Sequence, residues 1–344
     1  ITTIRRYYIM KVIIDNKIPY IKGVIETLAD EVVYLPGSEM TADAVKDADA
    51  LIIRTRTHCN RALLQGSKVK FIGTATIGFD HIDTAYCYEA GIVWRNCPGC
   101  NAGAVEQYVH SALLLLHKER RLDLSKATLG VVGVGHVGSR IVKMAESLGM
   151  RVLKNDPPRA DNGEEGFVGM DEIVRSCDVI TFHTPLVRDG NYKTFHLADA
   201  EFFASLRNTP YIINTSRGEV VDTQALLSAL SGKRVADAVI DVWENEPNIN
   251  QELLRRVIIG TPHIAGYSAD GKANATRMVL ESFCEFFHLQ PDFKIELPAV
   301  EPVSDLDADA CQLHKYNPLV DTEALKLHPE LFEHLRGDYS LRRE

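Results

Sequence analysis

An apolar run, Leu129-Gly130-Val131-Val132, leads directly into Gly133-Val134-Gly135-His136-Val137-Gly138 and then into a helical pattern from Ser139 to Leu148. No other feature constrains the fold as much, because strand, glycine turn and helix in that order make the phosphate-holding turn of a dinucleotide-binding unit. The first glycine permits the tight turn, the second lets backbone approach a pyrophosphate, and the third lets helix and strand pack closely. The next apolar run ends at Asp156, where a carboxylate can accept both adenosine ribose hydroxyls and repel a 2′-phosphate. The expected cofactor is therefore NAD rather than NADP, held at Gly133, Gly135, His136, Val137, Gly138 and Asp156.

Around this motif, short β-branched runs alternate with helical patterns, which is the signature of βαβ units and parallel sheets. One series takes its strands from Val12–Ile14, Val32–Leu35, Leu51–Ile53, Phe71–Gly73 and Ile92–Trp94. The other takes them from Leu129–Val132, Arg151–Lys154, Val179–Phe182, Tyr211–Ile213, Val235–Ile240 and Val257–Ile259. Two long helices, Asn101–Arg120 and Ser268–Leu289, are expected to carry the chain from the first series to the second and back. The expected fold class is α/β, with two doubly wound parallel-sheet domains. These are a discontinuous flavodoxin-like substrate domain (10–101 and 267–289) and a Rossmann NAD domain (102–266). At 344 residues the chain exceeds what one core supports, so a hinge and a cleft are expected. Residues 290–344, with helical patterning over Glu323–Arg343, are read as a short C-terminal dimerisation segment. Residues 1–9 read as a non-native extension, since Met10 directly precedes a strand-like run and nothing before it resembles a secretory signal.

The formal charge of −9 argues against nucleic acid as a partner. No apolar run approaches the roughly 18 residues that span a bilayer, so no membrane role is expected. Seven cysteines without scaffold-like spacing fit a reducing, cytoplasmic compartment. Cys97-Pro98-Gly99-Cys100 lacks both a thioredoxin-like setting and a second cysteine pair, and it is declined as a redox or zinc motif. His58, His81 and His183 read as structural, and no metal is predicted.

Three segments each begin where an apolar strand of the second series ends: Asn214-Thr215-Ser216-Arg217-Gly218, Asp241-Val242-Trp243-Glu244-Asn245-Glu246-Pro247 and Thr261-Pro262-His263-Ile264-Ala265-Gly266. That edge is where α/β sheets place their ligands. Oxidising a 2-hydroxy acid requires a cation for the carboxylate, a base for the hydroxyl proton and a nicotinamide for the hydride. Arg217 supplies a planar donor fork, His263 a base titrating near neutrality, and Glu246 a carboxylate to orient the ring. Singly, each has a bland reading as a strand cap, a helix-start acid or a buried histidine. Their joint order on successive strand ends, after a dinucleotide fingerprint, favours the catalytic one.

In these surroundings the Arg, Glu and His resemble the D-isomer-specific 2-hydroxyacid dehydrogenase family, whose catalytic residues would fall on Arg217, Glu246 and His263. Further similarity covers roughly Met10 to Leu289. It includes Gly73-Thr74-Ala75-Thr76 with Asp80-His81-Ile82-Asp83, Pro98-Gly99-Cys100-Asn101-Ala102, Asp156-Pro157-Pro158-Arg159-Ala160-Asp161 and Phe182-His183-Thr184-Pro185-Leu186. It narrows the resemblance to the branch that oxidises 4-phospho-D-erythronate with NAD in pyridoxal 5′-phosphate formation. The resemblance implies substrate positions at Thr55 and Thr76, with Tyr267 reaching the substrate. It also implies cofactor positions at Thr184, Asp241 and Gly266, and we count Thr215, Ser216 and Arg217 with them. A phosphorylated hydroxy acid needs a local cationic pocket on this acidic chain, and Arg54 beside Thr55 is the leading candidate. Arg342 or Arg343 is expected to reach the phosphate from a partner subunit of a homodimer. The tail is shorter than is usual in that branch, and only Pro329–Glu344 resembles it. Two alternatives stay open: another member of the class, such as a phosphoglycerate dehydrogenase, and an NAD-sensing binding protein on the same scaffold.

Overall fold

The computed structural model describes residues 9–299 and 306–344. Of the expected N-terminal extension, only Ile9 lies among the described residues. The chain divides into two compact units, one formed by the residues before Ala102 together with those from Ser268 to 299, the other by Ala102–Tyr267 with the C-terminal residues.

In the first unit, strands β1 (Lys11–Asp15), β2 (Glu31–Leu35), β3 (Ala50–Ile53), β4 (Phe71–Thr74) and β5 (Val93–Arg95) form a parallel sheet in the order β2-β1-β3-β4-β5. That is the doubly wound, flavodoxin-like order. Side chains of the central strands alternate between two buried faces, so β3 is apolar throughout, whereas the edge strands β2 and β5 carry the exposed Glu31 and Arg95. Val12, Ile14 and Ile52 join Val279, Leu280 and Phe283 of the helix Ala269–Phe287, while Ile13, Leu51, Ile53 and Ile72 face Val45, Leu64 and Cys87. Gly73 is required here, because a Cβ would lie 2.3 Å from Val279 Cγ2. The returning helix starts at Ser268, whose side chain accepts from the Gly271 N–H, and ends at His288 in a left-handed cap. Strand β5 begins one residue later than expected, since the Ile92 N–H closes the preceding turn onto the Cys87 carbonyl at 2.8 Å.

The second unit carries β6 (Thr128–Val132), β7 (Arg151–Asn155), β8 (Val179–Phe182), β9 (Tyr211–Asn214), β10 (Asp237–Ile240) and β11 (Ile259–Gly260), all parallel, in the order β11-β10-β9-β8-β6-β7. The order reverses at β6, which has β7 on one side and β8 on the other. This opens a crevice at the carboxyl ends of β6 and β8. One face of the sheet packs on the helices Ala102–Arg120 and His136–Ser147 through Tyr108, Val109, Leu113, Ile141 and Met144. The other face holds Phe182, Phe202, Leu226 and Leu253. Strands β10 and β11 are shorter than expected: Val235 and Val257 are buried, but their N–H groups bond back to Ala229 and Leu253 at the ends of helices. Among the described residues no helix is long and apolar enough to cross a membrane.

The tail differs from its sequence reading. Instead of one helical stretch over Glu323–Arg343 it forms the helices Ala308–Lys315, Pro318–Leu327 and Phe332–Gly337. Pro329 lacks an N–H and cannot continue the second of them, so the pattern breaks there. The segment was expected to pack on a neighbouring subunit, yet its apolar side chains join the second unit of this same chain. Leu325 and Phe332 are fully buried with β-sheet residues, and Tyr316 packs on the helix Ala102–Arg120. Each such side chain contributes about 1.5–3 kcal/mol of burial, so the docking is an integral part of the unit. Within this chain Arg342 is only 9% exposed and its guanidinium donates to the carbonyls of Ala104, Ile264, Ala265 and Tyr267.

Candidate active site

The glycine turn separates into three physical situations. Gly133 has φ +86°, and a Cβ there would meet the His183 backbone at 2.8 Å; at Gly138 it would meet the Gly133 carbonyl oxygen at 2.0 Å. At Gly135 nothing lies within 4 Å, which leaves the approach clear where a pyrophosphate would need it. Gly135 caps the helix His136–Ser147 without a side-chain hydrogen bond, so the first-turn N–H groups of His136 and Val137 face an uncapped end suited to an anion. Asp156 follows β7 and accepts from the Val134 N–H at 2.8 Å and from the Arg159 N–H at 3.3 Å. Its carboxylate therefore stands against the turn, where a ribose diol would lie. Across the crevice, the Thr184 hydroxyl after β8 is buried without a hydrogen-bond partner, a polar atom that a bound cofactor would satisfy. These residues fit an NAD group.

Strands β9, β10 and β11 are adjacent, so their carboxyl ends bring the three expected segments side by side. Asn214 Nδ2 donates to the Arg217 carbonyl, and Asn214 Oδ1 accepts from Ser216, which fixes the loop carrying Arg217. A Cβ on Gly218 would lie 2.0 Å from the Trp243 carbonyl carbon, so only glycine allows this loop to touch the next. The buried Asp241 accepts from the Thr261 hydroxyl at 2.7 Å and from the N–H groups of Ile264 and Ala265. Burial pushes its carboxyl up from the usual range despite the nearby His263 and these donors. Asp241 thus organises the loop that bears His263.

His263 has φ +59°, a left-handed conformation that costs an L-residue roughly 1–2 kcal/mol. Its N–H donates to the Asp241 carbonyl at 2.8 Å, and its Nδ1 stands 2.8 Å from Glu246 Oε2. Glu246 Oε1 accepts from the Trp243 N–H at 2.9 Å. Burial alone would raise the Glu246 carboxyl, but His263, that N–H and Arg336 together hold it below its usual value. An ionised carboxylate on Nδ1 leaves Nε2 of a neutral ring as an acceptor. No other histidine nearby offers this. His196 has both nitrogens held, by Glu244 at 2.7 Å and Asp222 at 3.4 Å. His183 is bound to Thr181 and Thr215, and burial pushes it down to about 3.

Of the remaining expected residues, Ser216 and Thr215 lie in the Arg217 loop, Gly266 ends the His263 loop, and the Tyr267 hydroxyl accepts from Arg336 Nε at 3.3 Å. Arg54 and Thr55 follow β3 in the first unit, and Thr76 follows β4, bonded to Thr74 at 2.7 Å and to the Gly78 carbonyl. Arg54 Nε stands 3.3 Å from Asp15 Oδ1 at the end of β1. Cys97 donates to the carbonyls of Thr74 and Ala275 and is fully buried, with its thiol pushed far up by burial. Sequence reasoning missed Arg336 as a neighbour of Glu246 at 3.5 Å, and Asp15 as a neighbour of Arg54. Neither pair follows from spacing, since each joins residues far apart in the chain.

Residues 101–265 match the family model described as D-isomer specific 2-hydroxyacid dehydrogenase, NAD binding domain. The chain belongs to the D-isomer specific 2-hydroxyacid dehydrogenase family. It is 59% identical over 340 residues, 97% of each chain, to an erythronate-4-phosphate dehydrogenase of Bacteroides thetaiotaomicron. An Escherichia coli protein of the same name is 46% identical over 85% of this chain and 78% of its own. Among solved structures, NAD-bound 3-phosphoglycerate dehydrogenase from Entamoeba histolytica shares 26% identity and a TM-score of 0.69, over 84% of this chain and 99% of that one. An Aquifex aeolicus D-lactate dehydrogenase with NAD and lactic acid shares 25% and 0.67, over 80% and 95%. The chain has the two parallel-sheet α/β units of this family and binds NAD.

Proposed function

We propose that this chain oxidises 4-phospho-D-erythronate at carbon 2 with NAD, giving (R)-3-hydroxy-2-oxo-4-phosphooxybutanoate and NADH, a step of pyridoxal 5′-phosphate formation. The observation that carries the substrate is the 59% identity, over 97% of both chains, with a protein named for that activity. The residues supply the chemistry. Arg217 holds the substrate carboxylate through its planar fork, His263 Nε2 accepts the hydroxyl proton, and Glu246 keeps Nδ1 protonated and steadies the charge that forms on the ring. When bound, NAD supplies the acceptor for the hydride leaving carbon 2. Asp156 and the glycine turn bind it, with Thr184, Thr215, Ser216, Asp241 and Gly266 lining the site. Arg54, with Thr55 and Thr76, binds the phosphorylated end of the substrate, and Tyr267 reaches the same molecule. We place the enzyme in the cytoplasm as a homodimer. The cysteines, which form no disulfide among the described residues, support the first part.

The test is NADH formation with 4-phospho-D-erythronate, 3-phosphoglycerate and unphosphorylated erythronate in parallel. The expected kcat/KM for the first exceeds the other two by at least about tenfold, the low end of what one extra or missing carbon provides. A higher value for 3-phosphoglycerate would reassign the substrate.

A further inference from the structure

We infer that Arg336, carried by the C-terminal segment, is a positioning residue for the Glu246–His263 pair, with Arg342 anchoring that segment to the loop that bears the base. This rests on the roles proposed for Glu246 and His263.

Glu246 presents two oxygens to three donors. Oε1 accepts from the Trp243 N–H, while Oε2 faces both His263 Nδ1 at 2.8 Å and Arg336 Nη1 at 3.5 Å. The same guanidinium donates through Nε to the Tyr267 hydroxyl at 3.3 Å, so Arg336 reaches a residue on each side of His263 in sequence. Three anchors on a carboxylate fix its plane, and the plane sets where the imidazole points.

Arg342 acts on the backbone of that loop. Nη1 donates to the carbonyls of Ile264 and Tyr267 at 3.1 and 2.9 Å, and Nη2 to that of Ala265 at 2.6 Å. The group is tied back to the helix Ala102–Arg120 through the Ala104 carbonyl and Gln107 Oε1, and lies 3.9 Å over the Tyr316 ring. With the Tyr339 hydroxyl 3.3 Å from Nη1, six acceptors meet the five N–H donors that only a guanidinium offers in one rigid plane. The three loop carbonyls follow His263 directly, and His263 is the residue held in a left-handed conformation. Packing of the tail is already secured by Leu325 and Phe332. The two arginines therefore add something packing does not require, namely a fixed geometry for the base and its carboxylate.

The charged and titratable groups facing the pair are Arg336 from the tail, Tyr267, and Asp241 beneath the loop. Removing the Arg336 charge lets the pair hold its proton to higher pH, because a second cation no longer competes for Oε2. The experiment compares Arg336→Gln and Arg336→Lys with wild type. It measures kcat, KM for NAD, the pH profile, thermal melting, and titration of the pair followed through the His263 ring nitrogens by NMR in the protein without substrate. In Arg336→Gln we expect kcat to fall about tenfold, KM for NAD to stay within about twofold, and both the acidic limb and the ring titration to move to higher pH. Arg336→Lys should restore the titration and part of kcat. Because the NMR titration needs no substrate, it separates this inference from the choice of substrate. A ring titration that does not move in Arg336→Gln overturns the inference. So does a loss in kcat that follows a lowered melting temperature and is not relieved by lysine.

Discussion

At His263, one ring nitrogen is given to Glu246 and the other is left for the proton transfer we propose, whereas His183 and His196 have both nitrogens held. That difference, more than the identity of the residue, supports His263 as the proposed base. His263→Ala should therefore lower kcat by about 10²- to 10⁴-fold, the contribution of a positioned base. For Glu246→Gln the sign is fixed by the structure. The carboxyl is held below its usual value and is ionised at working pH, and an anion 2.8 Å from the ring favours the protonated pair. Without that anion the proton leaves at lower pH, so the acidic limb of kcat/KM should move down while the rate falls less than in His263→Ala. A limb that stays in place would separate Glu246 from the base. Asp156 supports a second expectation. Asp156→Ser should raise KM for NAD about tenfold, through loss of charge-assisted hydrogen bonds of about 1–3 kcal/mol, and should relieve exclusion of NADP. Unchanged kinetics with both cofactors would remove the ribose from this carboxylate. Arg54→Ala should raise KM for the phosphorylated substrate more than for unphosphorylated erythronate, and an equal effect on both would move the phosphate pocket elsewhere.

The elements most legible in the sequence were those whose local pattern and tertiary demand agree. The doubly buried strands β1, β3, β6 and β8 read as continuous apolar runs, and the glycine turn followed its strand as the dinucleotide motif requires. The starts of β10 and β11 did not read correctly, because Val235 and Val257 are apolar for a different reason, the closure of helix ends onto the core. The tail was the least legible. Its helical period is real, but its partners Gly260, Ser111 and Val257 lie far away in the chain and leave no mark on local spacing. Glycine substitutions test the turn element by element. Gly138→Ala places a Cβ 2.0 Å from backbone and should destabilise the protein by about 1–3 kcal/mol, seen as a lower melting temperature. Gly135→Ala meets nothing within 4 Å, so it should melt as wild type while binding NAD more weakly. The reverse ranking in melting would contradict the account of the turn.

Two histidines link the whole molecule to pH. Burial lowers His183 to about 3 and His81 to about 4, so in acid the folded chain refuses protons that the unfolded chain takes up below about 6.5. Their contribution is neutral above that value, and stability is lost as pH falls toward the folded values, by at most about 1.4 kcal/mol per unit for each group. The Glu246 carboxyl, held low, adds stability present above the unfolded value near 4.5 and lost as pH drops through its folded value. The melting temperature should therefore decline from about pH 6.5 to 4, and His81→Asn with His183→Asn should flatten that decline relative to their own maximum. An unchanged slope would mean that these rings are not buried neutral. The central claim is that hydride from carbon 2 of a phosphorylated four-carbon hydroxy acid passes to NAD while His263 takes the hydroxyl proton. It is tested most directly by a single turnover with 4-phospho-D-erythronate deuterated at carbon 2, followed by mass analysis of the reduced cofactor. One deuterium is expected in each NADH formed by the wild-type enzyme, and almost no reduced cofactor from His263→Ala; NADH without deuterium, or no NADH from the wild type, would contradict this assignment.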